Sequence, residues 1–230
     1  MIESKIKIRK KFTPRGMQIL YDDRDIIIID KSAGLLSVET DTEKEKTAYN
    51  LLTNYVRKGN HKARIKLFAV HRLDRDTSGV LIFAKSLEMR EKFADQWKNV
   101  EKKYLALVHG HLKEKNGIFE SYLADGDDYK VRSVKNPQDG KFARTKYKVL
   151  KESEDRSLLE IDLLTGKKNQ IRVHLSENHH PIVGDKKYGS STKGRLALHA
   201  LSIKFKHPFT NEEMFFLTKR PDFTHIKSCQ

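Results

Sequence analysis

Ten short apolar runs, each only a few residues long, set the limits on what this chain can fold into. They lie at residues 18–21, 25–31, 66–70, 80–84, 103–109, 118–123, 144–150, 157–164, 195–205 and 212–217. Runs of that length with turn residues between them read as strands. The longest purely aliphatic one, Ile26 to Ile29, falls far short of the ~20 residues that span a bilayer. Asp22, Asp23 and Arg24 separate the first two runs, and the spacing predicts an antiparallel hairpin there. The last run reads as the hairpin partner of the run before it, across residues 207–211.

Helical spacing occurs in three segments. Ala48, Leu51, Leu52, Tyr55 and Val56 form one stripe within residues 46–58. Ser86 is placed to cap a second helix with an inner face of Met89, Phe93, Trp97 and Val100. The third covers residues 170–178. Strands in bursts, with helices that do not alternate strictly between them, imply an α+β fold around a mostly antiparallel sheet. No repeat and no Gly/Ser or proline-rich linker divides the chain. The expectation is a catalytic-size domain over residues 18–230, with residues 1–17 as a basic lead-in.

Charge narrows the partner. Lys and Arg number 46 against 31 Asp and Glu, a formal net charge of +15 on a chain that is 37% hydrophobic. That apolar content excludes a disordered tail protein, and the surplus favours a polyanion, nucleic acid above all. The single cysteine, Cys229, has no partner for a disulfide or a thiolate metal site, and no apolar signal core follows the basic start. These features imply a soluble cytoplasmic protein without a membrane partner.

The most informative stretch is HRLDRDTSG at residues 71–79, between two apolar runs. Its place predicts a loop at a sheet edge, where functional side chains sit on a rigid base. Two carboxylates, Asp74 and Asp76, stand among Arg72, Arg75 and His71. Arginines beside a carboxylate favour the charged form that a nucleophile or base requires. The same residues also suit an ordinary surface turn whose carboxylates pair with the arginines. An aspartic-protease reading of Asp76-Thr77-Ser78 lacks the second carboxylate motif that chemistry needs. A metal site on His71 and the aspartates lacks accompanying His/Cys spacing, and the arginines would repel the cation.

HRLDRDTSG closely resembles the catalytic motif of the RluA-type pseudouridine synthases, and further segments match that family in order. Residues 19–35, ending in Lys31-Ser32-Ala33-Gly34, resemble its opening hairpin and KPAG turn. Residues 102–110 resemble its KxYxAxVxG strand. Residues 166–175, 181–185 and 195–200 resemble its later motifs. The resemblance implies a pseudouridine synthase fold, a mostly antiparallel mixed sheet flanked by helices around a central active-site cleft. It implies isomerisation of uridine in rRNA or tRNA, with no cofactor and no metal, by a chain acting as a monomer.

It also implies roles. Asp74 is the catalytic carboxylate, Arg172 its basic partner and Tyr104 the active-site tyrosine. Leu196 or Leu198 lines the apolar wall of the uracil pocket; the spacing predicts both on one strand face. Arg72 is the wedge that fills the stack once a uridine is everted, since an arginine plane stacks on bases and binds phosphate. Lys167 and Lys168, with Lys186 and Lys187, hold the phosphodiester backbone.

Departures from the pattern are local. The family's GR(T/S)HQ reads Gly166-Lys167-Lys168-Asn169-Gln170, so Lys167 lacks the bidentate fork and Asn169 replaces a histidine. Ser32 replaces the proline of the turn. Residues 1–17 leave no room for the S4-type RNA-binding module that many relatives carry, so target choice is expected from the catalytic domain's own surface. The alternatives are a catalytically silent RNA-binding protein on the same fold and an aspartate-dependent N-glycosidase that releases the base.

Overall fold

A computed structural model describes residues 14–58, 60, 63–126, 128 and 130–225. The basic lead-in up to residue 13 and Cys229 lie outside the described residues. The chain forms two compact units, Met1–Val100 with Lys204–Thr218, and Glu101–Ile203 with Lys219–Gln230.

In the first unit, β1 (Met17–Asp22), β2 (Ile26–Lys31) and β4 (Ser78–Ala84) pair antiparallel in that order, and the short β3 (Phe68–Ala69) also pairs with β4. The expected β1–β2 turn is built by Asp23, whose Oδ1 accepts from the amides of Asp25 and Ile26 at 2.7 Å each. Ile26 to Ile29 are fully buried, as are Leu81 to Ala84, so β2 and β4 read as continuous apolar runs rather than as alternation.

Helix α1 (Ala48–Val56) starts where the Thr47 hydroxyl accepts from the Asn50 amide, and it buries Ala48, Leu52, Thr53 and Tyr55. Leu51 and Val56 are half-buried, so the inner stripe is turned slightly toward Thr53. Ser86 caps α2 (Leu87–Gln96) as its sequence position implies, and Met89 and Phe93 face inward. Trp97 belongs to a following 3-10 turn, half-buried against the ring of His71.

The second unit is a larger antiparallel array. β5 (Glu101–His109), β9 (Arg156–Leu163), β8 (Lys141–Glu152), β6 (Asn116–Asp125) and β7 (Val131–Val134) follow one another, and β10 (Leu198–Lys206) lies next to β5. β11 (Glu213–Leu217) pairs with β10. β8 alternates, with Ala143, Thr145 and Tyr147 buried and Arg144, Lys146 and Lys148 exposed, the pattern of a sheet covered on one face. Helix α3 (Gln170–Glu177) covers that face: Val173 packs with Leu123, Val131, Ala143 and Tyr188. The α+β class expected from the sequence holds.

The structure corrects three boundaries. The run at 66–70 yields only the two residues of β3; at its C-terminal end the Val70 amide still donates to the Ile82 carbonyl at 3.2 Å, but the Ile82 amide donates to His71 Nε2 at 3.2 Å. β10 starts at Leu198, so Leu196 precedes the strand and the two leucines do not share one regular strand face. β7 has no counterpart among the apolar runs, because Val131-Arg132-Ser133-Val134 is too short and polar to signal a strand.

Candidate active site

The loop after β3 is held from outside, on both sides of Asp74. Ser37, 3% exposed, donates from Oγ to the Leu73 carbonyl at 2.7 Å and accepts from the Leu73 amide at 3.0 Å. On the other side, the Arg75 carbonyl accepts from the Gly34 amide at 2.9 Å and from Lys31 Nζ at 3.0 Å. Lys31 is fully buried, and its ammonium also donates to the Leu35 carbonyl at 2.6 Å and to the Ser32 carbonyl at 3.1 Å. Three carbonyls match the three donors of an ammonium, which is what makes burying one tolerable.

Asp74 itself is half-buried, and its carbonyl accepts from the Thr77 amide at 3.1 Å. Gly34 has φ +86°, a left-handed conformation that glycine adopts without penalty and that aims its amide at Arg75. The departure at Ser32 also has a use: its amide donates to the Gly16 carbonyl at 2.9 Å, a bond that proline could not make.

The two carboxylates of the motif are thereby told apart. Asp76 pairs with Arg75 at 3.2 Å in the open, with side chains 49% and 63% exposed, a contact worth at most about 1 kcal/mol. Asp74 sits between two clamped peptides. His71 is committed to β4 through an accepting Nε2, and among the described residues no group of three or more His, Cys, Asp or Glu side chains is placed to hold a metal. Arg72 is exposed.

In the second unit, Arg172 is gripped by Asp185. Nε donates to Oδ2 at 2.7 Å and Nη2 to Oδ1 at 2.8 Å, with the two side chains 13% and 0% exposed. The guanidinium also lies 5.0 Å from the centroid of the Tyr188 ring. The resemblance pairs Arg172 with the catalytic carboxylate; the fork through Nε and Nη2 goes to Asp185. In the sequence Asp185 stands only as the end of a matched segment, and nothing near it in the chain marks its pairing with Arg172. Gly184 beside it has φ +80°, and a Cβ there would lie 2.1 Å from the Arg195 carbonyl oxygen, so no other residue fits.

The seat of α3 is a buried polar network. Gln170 Oε1 accepts from Thr165 Oγ1 at 2.8 Å and the Lys167 amide at 3.0 Å, while its Nε2 donates to the Arg144 carbonyl and to Thr145 Oγ1, both at 2.9 Å. His174 reaches Thr145 Oγ1 from Nδ1 at 2.8 Å and Ser121 Oγ from Nε2 at 3.0 Å. Burial pushes the His174 imidazole down to about 4, so it is neutral near pH 7. Asn169 takes the left-handed conformation, φ 52°, which asparagine tolerates better than most side chains, and its Oδ1 accepts from the Tyr188 hydroxyl at 3.3 Å.

Tyr104, 7% exposed, lies on β5 opposite Ile161 of β9. Leu196 and Leu198 are each 4% exposed, and the Ala197 between them is tied to the Leu107 amide at 3.0 Å and the Val183 carbonyl at 2.9 Å. Lys167 and Lys168 are exposed, and Lys168 is paired with Asp125. Asp74 and Arg72 thus belong to the first unit, and Tyr104, Arg172, Leu196, Leu198, Lys167 and Lys168 to the second.

Residues 25–177, reaching from β2 into α3 and including Asp74, Tyr104 and Arg172, match the model of the RNA pseudouridylate synthase family. The chain belongs to that family. It is 35% identical over 219 residues to ribosomal large subunit pseudouridine synthase D of Nitrosomonas europaea, covering 90% of this chain and 62% of that protein. It is 32% identical to tRNA pseudouridine synthase C of Vibrio parahaemolyticus, over 87% of this chain and 89% of that one. The solved structure of human RNA pseudouridylate synthase domain containing 4 superposes with a TM-score of 0.74 at 27% identity, covering 93% of this chain and 91% of that one.

Proposed function

We propose that the chain isomerises uridine in RNA to pseudouridine, with Asp74 as its essential carboxylate. The observation that carries the reading is the family match across residues 25–177, within which the HRLDRDTSG loop is intact. The clamp on Leu73 and Arg75 supports it, because catalysis needs a reacting group held in one place.

In the reaction, the bond from uracil N1 to ribose C1′ breaks, the base turns, and C5 bonds to C1′. C5 gives up a proton and N1 gains one. Asp74 either attacks the ribose or takes a proton from it, and both routes use the ionised carboxylate. Arg172, whose guanidinium Asp185 grips, takes the family's role of basic partner to the catalytic carboxylate. Tyr104 stacks on the everted uracil with its hydroxyl near the moving proton, and Leu196 or Leu198 supplies the apolar wall. Arg72 fills the stack that the uridine leaves. Lys167 and Lys168 grip phosphates, a contact that weakens with salt.

The substrate class is rRNA or tRNA, as the names of the relatives suggest. The enzyme works as a cytoplasmic monomer, and the isomerisation needs neither cofactor nor metal. Among the described residues no helix is long and apolar enough to cross a membrane.

Mapping pseudouridine across total RNA from a strain lacking the gene, before and after treatment with the protein, tests the reading. New pseudouridine at one or a few uridines is the expected result. Free uracil released instead would replace the isomerase by an N-glycosidase, and no change in the RNA would leave a silent RNA-binding protein.

A further inference from the structure

We propose that Ser37 is a positioning residue for Asp74, acting through the backbone of Leu73. The proposal rests on the reading that Asp74 carries the reaction. Ser37 is far from the motif in sequence, yet its one hydroxyl makes both hydrogen bonds of the Leu73 peptide groups, donating at 2.7 Å and accepting at 3.0 Å. Leu73 is 7% exposed and lies outside every strand, so no ladder partner replaces the hydroxyl if it is lost.

The hydroxyl is itself mounted on a rigid base. The Ser37 carbonyl accepts from the Tyr49 amide at 3.1 Å, and the preceding Leu36 carbonyl accepts from the Ala48 amide at 2.7 Å. Both amides lie in the first turn of α1, whose Ala48, Leu52 and Tyr55 are buried. Position therefore passes from a packed helix, through one side-chain oxygen, to the peptide next to Asp74.

A methyl group in place of that hydroxyl leaves a buried N–H and C=O unpaired together, and the loop shifts to solvate them. The opposite side stays fixed, since Lys31 and Gly34 still hold the Arg75 carbonyl. The result is a turn about Asp74 rather than an unfolded loop. A displacement of a fraction of an ångström at the reacting group is expected to lower turnover by about 10–100-fold.

The test compares the full chain with Ser37→Ala and Ser37→Thr, the second keeping the hydroxyl. Amide hydrogen exchange at Leu73 reads the clamp without reference to activity. Pseudouridine formation and filter retention with saturating total RNA from a strain lacking the gene read the consequence, each corrected for the folded fraction by circular dichroism. In Ser37→Ala, exchange at Leu73 is expected to quicken about tenfold or more. Turnover is expected to fall by about 10–100-fold with RNA retention unchanged, and Ser37→Thr to recover most of both.

Unchanged exchange at Leu73 in Ser37→Ala overturns the clamp. Quickened exchange with wild-type turnover per folded molecule overturns the positioning role, as does a threonine variant no better than alanine. A wild-type protein that protects Leu73 but forms no pseudouridine overturns the functional reading, and the positioning role with it.

Discussion

The loop of Asp74 and the helix of Arg172 are both fixed, by opposite means. Around Asp74 the contacts go to backbone: Ser37 to Leu73, Lys31 and Gly34 to Arg75. Around Arg172 most run between side chains, with Asp185 gripping the guanidinium and Gln170 and His174 fastening the helix to Thr145 and Ser121, and Gln170 adds bonds to the Arg144 carbonyl and the Lys167 amide. A backbone clamp does not engage the clamped residue's side chain, which is why Arg75 can be 63% exposed while Lys31 holds its carbonyl. A side-chain network fixes identities instead, because each partner is matched in shape and charge.

The largest effect expected from this contrast is at Asp185. Asp185→Ala takes the two-point carboxylate grip from the Arg172 guanidinium, which is only 13% exposed. Removing one partner of a buried pair costs about 3–5 kcal/mol, and chemical denaturation of the variant measures it. Lys31→Met comes next. It keeps the stem but leaves the carbonyls of Ser32, Leu35 and Arg75 without the ammonium, an expected loss of about 2–3 kcal/mol. If Lys31→Met proved as costly as Asp185→Ala, the two kinds of anchor would not differ in the way described.

Acid sharpens the contrast, because the α3 network contains a neutral buried imidazole. His174 falls from an ordinary value of 6.5 to about 4 by burial, and His199 does likewise, by burial first and the Arg195 charge second. Above about pH 6.5 both states of each histidine are neutral and pH has no lever. Between about 6.5 and 4 the unfolded chain takes up protons that the folded one refuses, so stability falls as pH falls, by up to roughly 1.4 kcal/mol per pH unit per histidine. His174→Gln keeps hydrogen-bonding capacity without titrating. Urea midpoints measured from pH 7 to 5 should then show about half the wild-type loss; an unchanged acid limb would contradict the assignment.

The smallest effect is at the exposed pair. Arg75→Ala removes the Asp76 contact but not the clamped carbonyl, and a change within about 0.5–1 kcal/mol is expected in the same denaturation assay.

These anchors also mark where the sequence stopped being readable. HRLDRDTSG was legible because its residues are contiguous and of unusual charge, and most strands because their apolar runs are local. Ser86 and Asp23 announced a helix start and a turn through bonds to their near neighbours. The clamps made by Lys31 and Ser37 carry no such local signal. Each reaches a backbone group far along the chain, Arg75 44 residues on and Leu73 36 residues on, and a carbonyl or an amide is present at every non-proline position. Asp185 hid for a related reason, its partner being Arg172 on another element. At the C-terminal end of β3 a side chain, His71, takes the Ile82 amide that a backbone carbonyl would otherwise pair, a substitution that no periodicity encodes.

The central claim is that the carboxylate of Asp74 carries the isomerisation. Asp74→Asn preserves size and the clamped peptides on either side, so it isolates the charge. With total RNA from a strain lacking the gene, the account predicts that pseudouridine formation falls by about 10³-fold or more while filter retention of the RNA is unchanged. Wild-type levels of pseudouridine from Asp74→Asn would contradict it.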